Sequence, residues 1–149
     1  MYNTILVPLD GSKRAEGILG HVEELAMCFH AKVVLAQVIE FPPRALGYSA
    51  AYTVFGQEEL KKWKKDSEAY LTALSEGLRE KGIEVETCVH YGYAVEEIIN
   101  LAERVDADLI AMASHGRTGL PRVFYGSVTA GVLHRVDRPL LLVRSLDGE

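Results

Sequence analysis

Short apolar runs alternate with amphipathic stretches along the chain. Thr4-Ile-Leu-Val-Pro-Leu9 is a short apolar run with β-branched residues, the pattern of a strand buried on both faces. Asp10-Gly-Ser12 ends it, and the Asp and Ser side chains can accept from the free N–H groups of a helix start. From about Lys13 to Phe29, the residues Ile18, Leu19, Val22, Leu25, Ala26 and Phe29 fall on one helical face. Lys32 to Ile39 reads as a second strand. Glu58 to Glu80 is an amphipathic helix with Leu60, Trp63, Tyr70, Leu71, Leu74 and Leu78 as its apolar set, and Lys81-Gly82 closes it with glycine in its favoured place. Ile83 to Val89 alternates, which predicts a strand with one wet face near a sheet edge. His90 to Tyr93 turns into a third helix, about Ala94 to Arg104, with Val95, Ile98, Ile99 and Ala102 inward. Asp108 to Ala113 is the fourth strand, Ser127 to Arg135 the fourth helix and Arg138 to Val143 the fifth strand.

Strictly alternating strands and helices give a parallel sheet with helices on both faces, joined by right-handed crossovers. Ligands of such sheets sit at the carboxyl ends of the strands, where the strand order reverses. Those ends are Asp10, Ile39-Glu40, His90 and Ala113 to His115. If strands one and four are neighbours, Asp10 shares a crevice with the stretch Asp108 to Thr129. That stretch runs from an apolar strand through a glycine-bearing loop with Arg117 and Arg122 to a helix opened by Gly126 and Ser127, the ingredients of a phosphate site.

Between Glu40 and Gly56 the periodicity disappears among prolines, glycines and aromatics. A loop of that length is usually functional or mobile, so it is read as a lid, a partner contact or a variable surface loop. The 149 residues suit a single domain, 1–149, with a real core. A net charge of -5 and a pI near 5.6 argue against broad binding of nucleic acid or anionic membranes. Cys28 and Cys88 read as buried thiols of a reducing compartment. The start lacks a signal peptide's basic segment and long apolar region, and no apolar run reaches the length of a membrane span. The expected location is the cytoplasm. The lysines at 61, 62, 64 and 65 are interleaved with glutamates and read as a solvated helix face.

Several chemistries of this fold class fail on their motifs. The chain has no G-x-x-x-x-G-K-[ST] and no G-x-G-x-x-G after strand one. Leu9-Asp10-Gly11-Ser12 lacks the second carboxylate of a haloacid-dehalogenase phosphatase, and His90-Tyr91 stands where a receiver domain carries its phospho-acceptor aspartate. The histidines at 21, 30, 90, 115 and 134 lack zinc-ligand spacing.

The motifs that remain resemble those of the universal stress protein family over essentially the whole chain. The family's opening I-L-V-P-x-D-G-S stands as Ile5 to Ser12, and G-x-x-x-x-x-I as Gly92 to Ile98. Its ATP-binding members carry G-x2-G-x9-G-[ST]. Here Ala113-Ser-His-Gly116 is followed after nine residues by Gly126-Ser127-Val128-Thr129, and the closing R-P-L-L-L-V is Arg138 to Val143. The resemblance implies a Rossmann-like five-stranded sheet of order 3-2-1-4-5 and bound ATP, with Mg²⁺ or Mn²⁺ held through the phosphates. It puts adenine by Pro8, Asp10 and the backbone of Val38. Ribose and phosphates fall on Ala113, Ser114, His115, Gly116, Arg117, Thr118 and Gly119 and on Gly126, Ser127, Val128 and Thr129. Gly116 lets N–H groups approach a phosphate without a Cβ in the way, and Gly126-Ser127 supplies a helix start that favours negative charge.

The first glycine of the ATP motif is Ala113 here. One added methyl is tolerated unless φ is positive there or the ribose packs on the Cα. The resemblance also implies a homodimer paired through Leu140 to Val143. The leading expectation is an ATP-binding sensor or signalling module in stress response without efficient turnover. A slow ATP hydrolase or phosphoryl or adenylyl transferase is the alternative, and a nucleotide-free dimeric scaffold a second one.

Overall fold

Strands β1 (Thr4–Leu9), β2 (Lys32–Glu40), β3 (Val85–Gly92), β4 (Leu109–His115) and β5 (Leu140–Ser145) form one parallel sheet ordered β3-β2-β1-β4-β5. The structure, a computed structural model, describes residues 1–40, 47–115 and 126–145, without the side chains of 47–55, 115 and 145. The order matches the sequence expectation, and the neighbours β1 and β4 flank the point where the chain's direction across the sheet reverses.

Strand alternation divides the core in two. Ile5, Val7, Val33, Leu35, Leu109 and Ala111 face α1 (Leu19–Phe29) and α2 (Gly47–Glu80), which contribute Val22, Ala26, Leu71 and Leu78. Leu6, Val34, Ala36, Ile110 and Met112 face α3 (Ala94–Arg104) and α4 (Ser127–Arg135), which contribute Ile98, Leu101, Ala102 and Val132. With both faces covered, the three central strands read as unbroken apolar runs.

Local chemistry sets the element ends. After β1, Asp10 Oδ1 accepts from the N–H of Ser12 (2.9 Å) and from its hydroxyl (2.6 Å), while Ser12 Oγ accepts from the N–H of Ala15 (3.2 Å). This turn needs Gly11 at φ 86°. The expected first helix from Lys13 is therefore a turn, then a 3₁₀ segment Ala15–Ile18, then α1. At the end of α2, the N–H of Ile83 bonds to Leu78 O and that of Gly82 to Arg79 O, with Gly82 at φ 82°. That is a Schellman stop, and it delays β3 to Val85 in place of the expected Ile83.

Three further expectations are corrected. Of the aperiodic 40–56 stretch, residues 47–55 are helical and belong to α2, which breaks at Gly56 (φ 74°, ψ 159°); residues 41–46 lie outside the description. Asp108 and Arg138, read as strand residues, precede their strands and act as anchors. Asp108 Oδ2 accepts from the N–H groups of Asn3 (2.6 Å) and Thr4 (2.8 Å), and Arg138 Nη1 donates to Ala102 O (2.9 Å) and Ala107 O (3.0 Å). Cys28 is exposed and Cys88 half-buried, so the two free thiols are not both core residues. Cys28 lies two positions past Ala26, about 200° around the helix from the packed stripe. Among the described residues no helix is long and apolar enough to cross a membrane.

Candidate functional site

A cavity of about 330 Å³ opens at the carboxyl ends of β2, β1 and β4, between the starts of α3 and α4 and the turn after β1. Its size is at the lower end for small-molecule sites. Across the sheet its walls come from Val38 and Glu40 of β2, from Pro8, Leu9 and Asp10 at the end of β1, and from Met112, Ala113 and Ser114 of β4. Ala94 and Ile98 of α3 close one side, and Gly126, Ser127, Val128 and Thr129 at the start of α4 close the other. Arg14 and Ala15, from the turn after β1, complete the lining.

Nine residues that the sequence assigns to the site therefore meet around one cavity: Pro8, Asp10, Val38, Ala113, Ser114, Gly126, Ser127, Val128 and Thr129. Gly116, Arg117, Thr118, Gly119 and Arg122 lie outside the described residues, as does the side chain of His115. Sequence reasoning missed Leu9, Arg14, Ala15, Glu40, Ala94, Ile98 and Met112. For Glu40 and Ala94 a signal existed: each stands at a strand end or helix start on the side where this fold class binds ligands. Arg14 and Ala15 were hidden because they were read as part of the first turn of a regular helix.

The start of α4 gives the cavity its polarity. Gly126 is extended (φ -60°, ψ 160°), its carbonyl accepts the first helical bond from Ala130 at 2.9 Å, and no side chain among the described residues caps this end. The N–H groups of the first turn have no partner inside the helix and carry the positive end of its dipole. Thr129 is 4% exposed and Ser114 2%, so the wall behind them is dry, whereas Ser127 is exposed.

Ala113 takes no positive φ, and its methyl packs with Leu141 and Val143 against the α1/α2 core. Its neighbour Met112 belongs to the opposite core, the one beneath the cavity. The first of the two conditions that would make the alanine harmful is absent.

The turn carrying Arg14 and Ala15 is held from behind. Tyr70 of α2 donates its hydroxyl to Glu16 Oε2 at 2.9 Å, and Lys13 Nζ approaches Glu16 Oε1 at 3.5 Å. Burial, and then the Glu16 carboxylate, push the Tyr70 phenol far above its ordinary value, so it is a permanent donor. At the edge strand, burial is the main cause lowering His90, with the positive charge of Arg104 adding to it. Burial likewise raises the Cys88 thiol. Both groups lie away from the cavity lining. Among the described residues no group of three or more His, Cys, Asp or Glu side chains is placed to hold a metal ion.

Known proteins share this fold. A model of the universal stress protein family matches residues 1–144. Universal stress protein MJ0577 of Methanocaldococcus jannaschii is 30% identical over 97% of this chain and 96% of its own. A solved structure of that protein superposes with a TM-score of 0.81 at 31% identity, covering 97% of this chain and 96% of the other. Two more distant structures share the fold. One is a universal stress protein in complex with cAMP (TM-score 0.66, 23% identity, 97% and 98% covered), and the other that of Archaeoglobus fulgidus in complex with dAMP (0.62, 21%, 95% and 97%). With the strand order, the switch-point cavity and the match over nearly all of its length, the chain belongs to the universal stress protein family.

Proposed function

We propose that this protein binds an adenine nucleotide, ATP, in the switch-point cavity and acts as a nucleotide-dependent sensor or signalling module. The observation that carries the reading is the start of α4: a helix N-terminus without a side-chain cap among the described residues, opening into a cavity whose other end holds the apolar Val38 and Ile98 beside Glu40. Phosphates are favoured at the helix end and a base at the Val38–Ile98 end. Related proteins in complex with cAMP and dAMP support the choice of an adenine ligand. A divalent cation in this reading takes its ligands chiefly from phosphate oxygens.

Binding without efficient turnover is the better reading of the carboxylates. Asp10 Oδ1 is engaged by Ser12 and Glu40 Oε1 by the N–H of Ala94, so each already has a structural task. The same proposal includes a cytoplasmic homodimer paired through Leu140 to Val143, half-buried residues of the edge strand β5. Sedimentation of the purified protein tests the pairing.

Mass spectrometry of freshly purified, denatured protein should release adenine nucleotide. Stripped protein should gain thermal stability from ATP with Mg²⁺. Protein that is empty as purified and shows no thermal response sinks the reading. Gly126→Val combined with Ser127→Val should abolish binding while the chain stays folded, and unchanged affinity would place the site elsewhere.

A further inference from the structure

Two helix N-termini line the cavity, and the fold treats them differently. α3 begins at Ala94 and α4 at Ser127, and both residues are in the cavity wall. At α3, Glu40 at the end of β2 places Oε1 3.0 Å from the N–H of Ala94. A carboxylate there satisfies the leading donor and offsets the positive end of the helix dipole. At α4 no described side chain does the same. One end is closed to anions by the protein's own carboxylate, and the other is left for the ligand's.

Glu40 also belongs to the cavity lining in its own right, beside the apolar Val38, Ala94 and Ile98. Glu40 is exposed, and its Oε2 makes no hydrogen bond among the described residues, so that oxygen is open to solvent or to a ligand. An ionised carboxylate can only accept, so this end of the cavity suits a flat apolar group that presents a donor and repels a phosphate. Resting on the nucleotide reading above, we propose that Glu40 is the residue that orients and selects the nucleotide: it shuts the α3 terminus to phosphate and accepts from the exocyclic amino group of the base. Glu40 would then be a specificity residue acting through one oxygen on α3 and the other on the ligand.

The test compares ATP with purine riboside triphosphate, which has the same ring and phosphates but no exocyclic group. Affinities are measured by calorimetry on the full chain, wild type and Glu40→Gln. The glutamine carbonyl can still accept from Ala94, so α3 keeps its cap while the ligand-facing oxygen becomes a donor. Wild type should prefer ATP by about tenfold, the effect of one charge-assisted hydrogen bond at a part-exposed site. In Glu40→Gln the preference should vanish through weaker ATP binding, with the affinity for the analogue unchanged or higher. Equal affinities in the wild type overturn the proposal without any variant, and so does a preference that survives the substitution. The latter is the result expected if Glu40 only caps α3. Absence of binding by either nucleotide to wild type refutes the nucleotide reading itself, a separate outcome.

Discussion

Gly131 offers a sharp test of how α3 and α4 are packed. It lies mid-helix in α4, where replacing glycine by alanine ordinarily stabilises by about 1 kcal/mol. A Cβ built at Gly131 would stand 2.6 Å from Val95 Cγ2, 3.2 Å from Cγ1 and 3.4 Å from Cβ. Normal carbon contacts are about 3.5–4.0 Å. Turning Val95 gives little relief, because both methyls and the branching carbon are near the new atom and a valine in a helix is held in one rotamer. The helices must therefore separate by a fraction of an ångström, at a cost of about 1–3 kcal/mol for overpacking. The propensity gain offsets part of that, leaving Gly131→Ala less stable by about 1 kcal/mol. In a Val95→Ala background the obstacle is gone, and the same substitution should stabilise. Gly77 in α2, whose added Cβ meets nothing within 4 Å, is the control and should gain about 0.5–1 kcal/mol as alanine. Urea unfolding of the four members of the cycle reads these signs directly. A Gly131→Ala variant more stable than wild type, or one equally harmed with and without Val95, refutes the packing argument.

Other outcomes follow from single contacts. Tyr70→Phe removes the donor to Glu16 and should cost about 1 kcal/mol, less than a fully buried charge-assisted bond because the pair is part-exposed. A cycle with Glu16→Gln should show the two positions coupled, and additivity would contradict the bond. His90 titrates below its ordinary 6.5 in the fold, first from burial, then from Arg104 and Lys64 against the opposing Glu97. The native state thus prefers neutral His90: its stabilising effect is full above the unfolded value and is lost as pH falls through the folded one. Wild type should lose more stability than His90→Gln between about pH 7 and pH 5, and identical pH slopes in urea unfolding would refute this. Ala113→Gly should destabilise by about 0.5–1 kcal/mol, since glycine weakens a strand. It should also change ATP affinity by less than about tenfold, and a larger gain would mean the methyl obstructs the site.

Periodic elements were legible wherever the apolar pattern and the local stop signals agreed. β1, α3 and α4 fall where the sequence puts them, and Gly82 closes α2 through the expected geometry. Errors cluster where a polar residue borders an apolar run. Asp108 and Arg138 look like strand residues in one dimension but send their side chains to Asn3, Thr4, Ala102 and Ala107, more than thirty positions away. No local pattern carries that information. The helical 47–55 segment was missed because Pro42, Pro43, Gly47 and Gly56 around it read as loop signals, although Tyr48, Ala51, Tyr52 and Phe55 stand at helical spacing. Half of the cavity lining was legible as a motif. For Glu40 only the position at a strand end was legible; its bond to Ala94 was not, because Ala94 comes from a different crossover and meets it only once β2 and β3 are paired.

Ala113 illustrates what a motif conceals and a sheet reveals. Read as a string, G-x2-G asks for two small residues and treats both as close approaches to a ligand. In the sheet the two positions carry different constraints. Position 113 is inside β4, in register with Val143, so its side chain is directed by alternation to the α1/α2 face. Met112, one position earlier, packs beneath the cavity from the opposite core. Residue 113 borders the cavity while its methyl packs with Leu141 and Val143 against the α1/α2 core. An alanine here exchanges conformational freedom that a strand does not need for apolar contact that the core can use. A side chain larger than alanine at 113 therefore meets core packing on the α1/α2 face of the sheet before anything else.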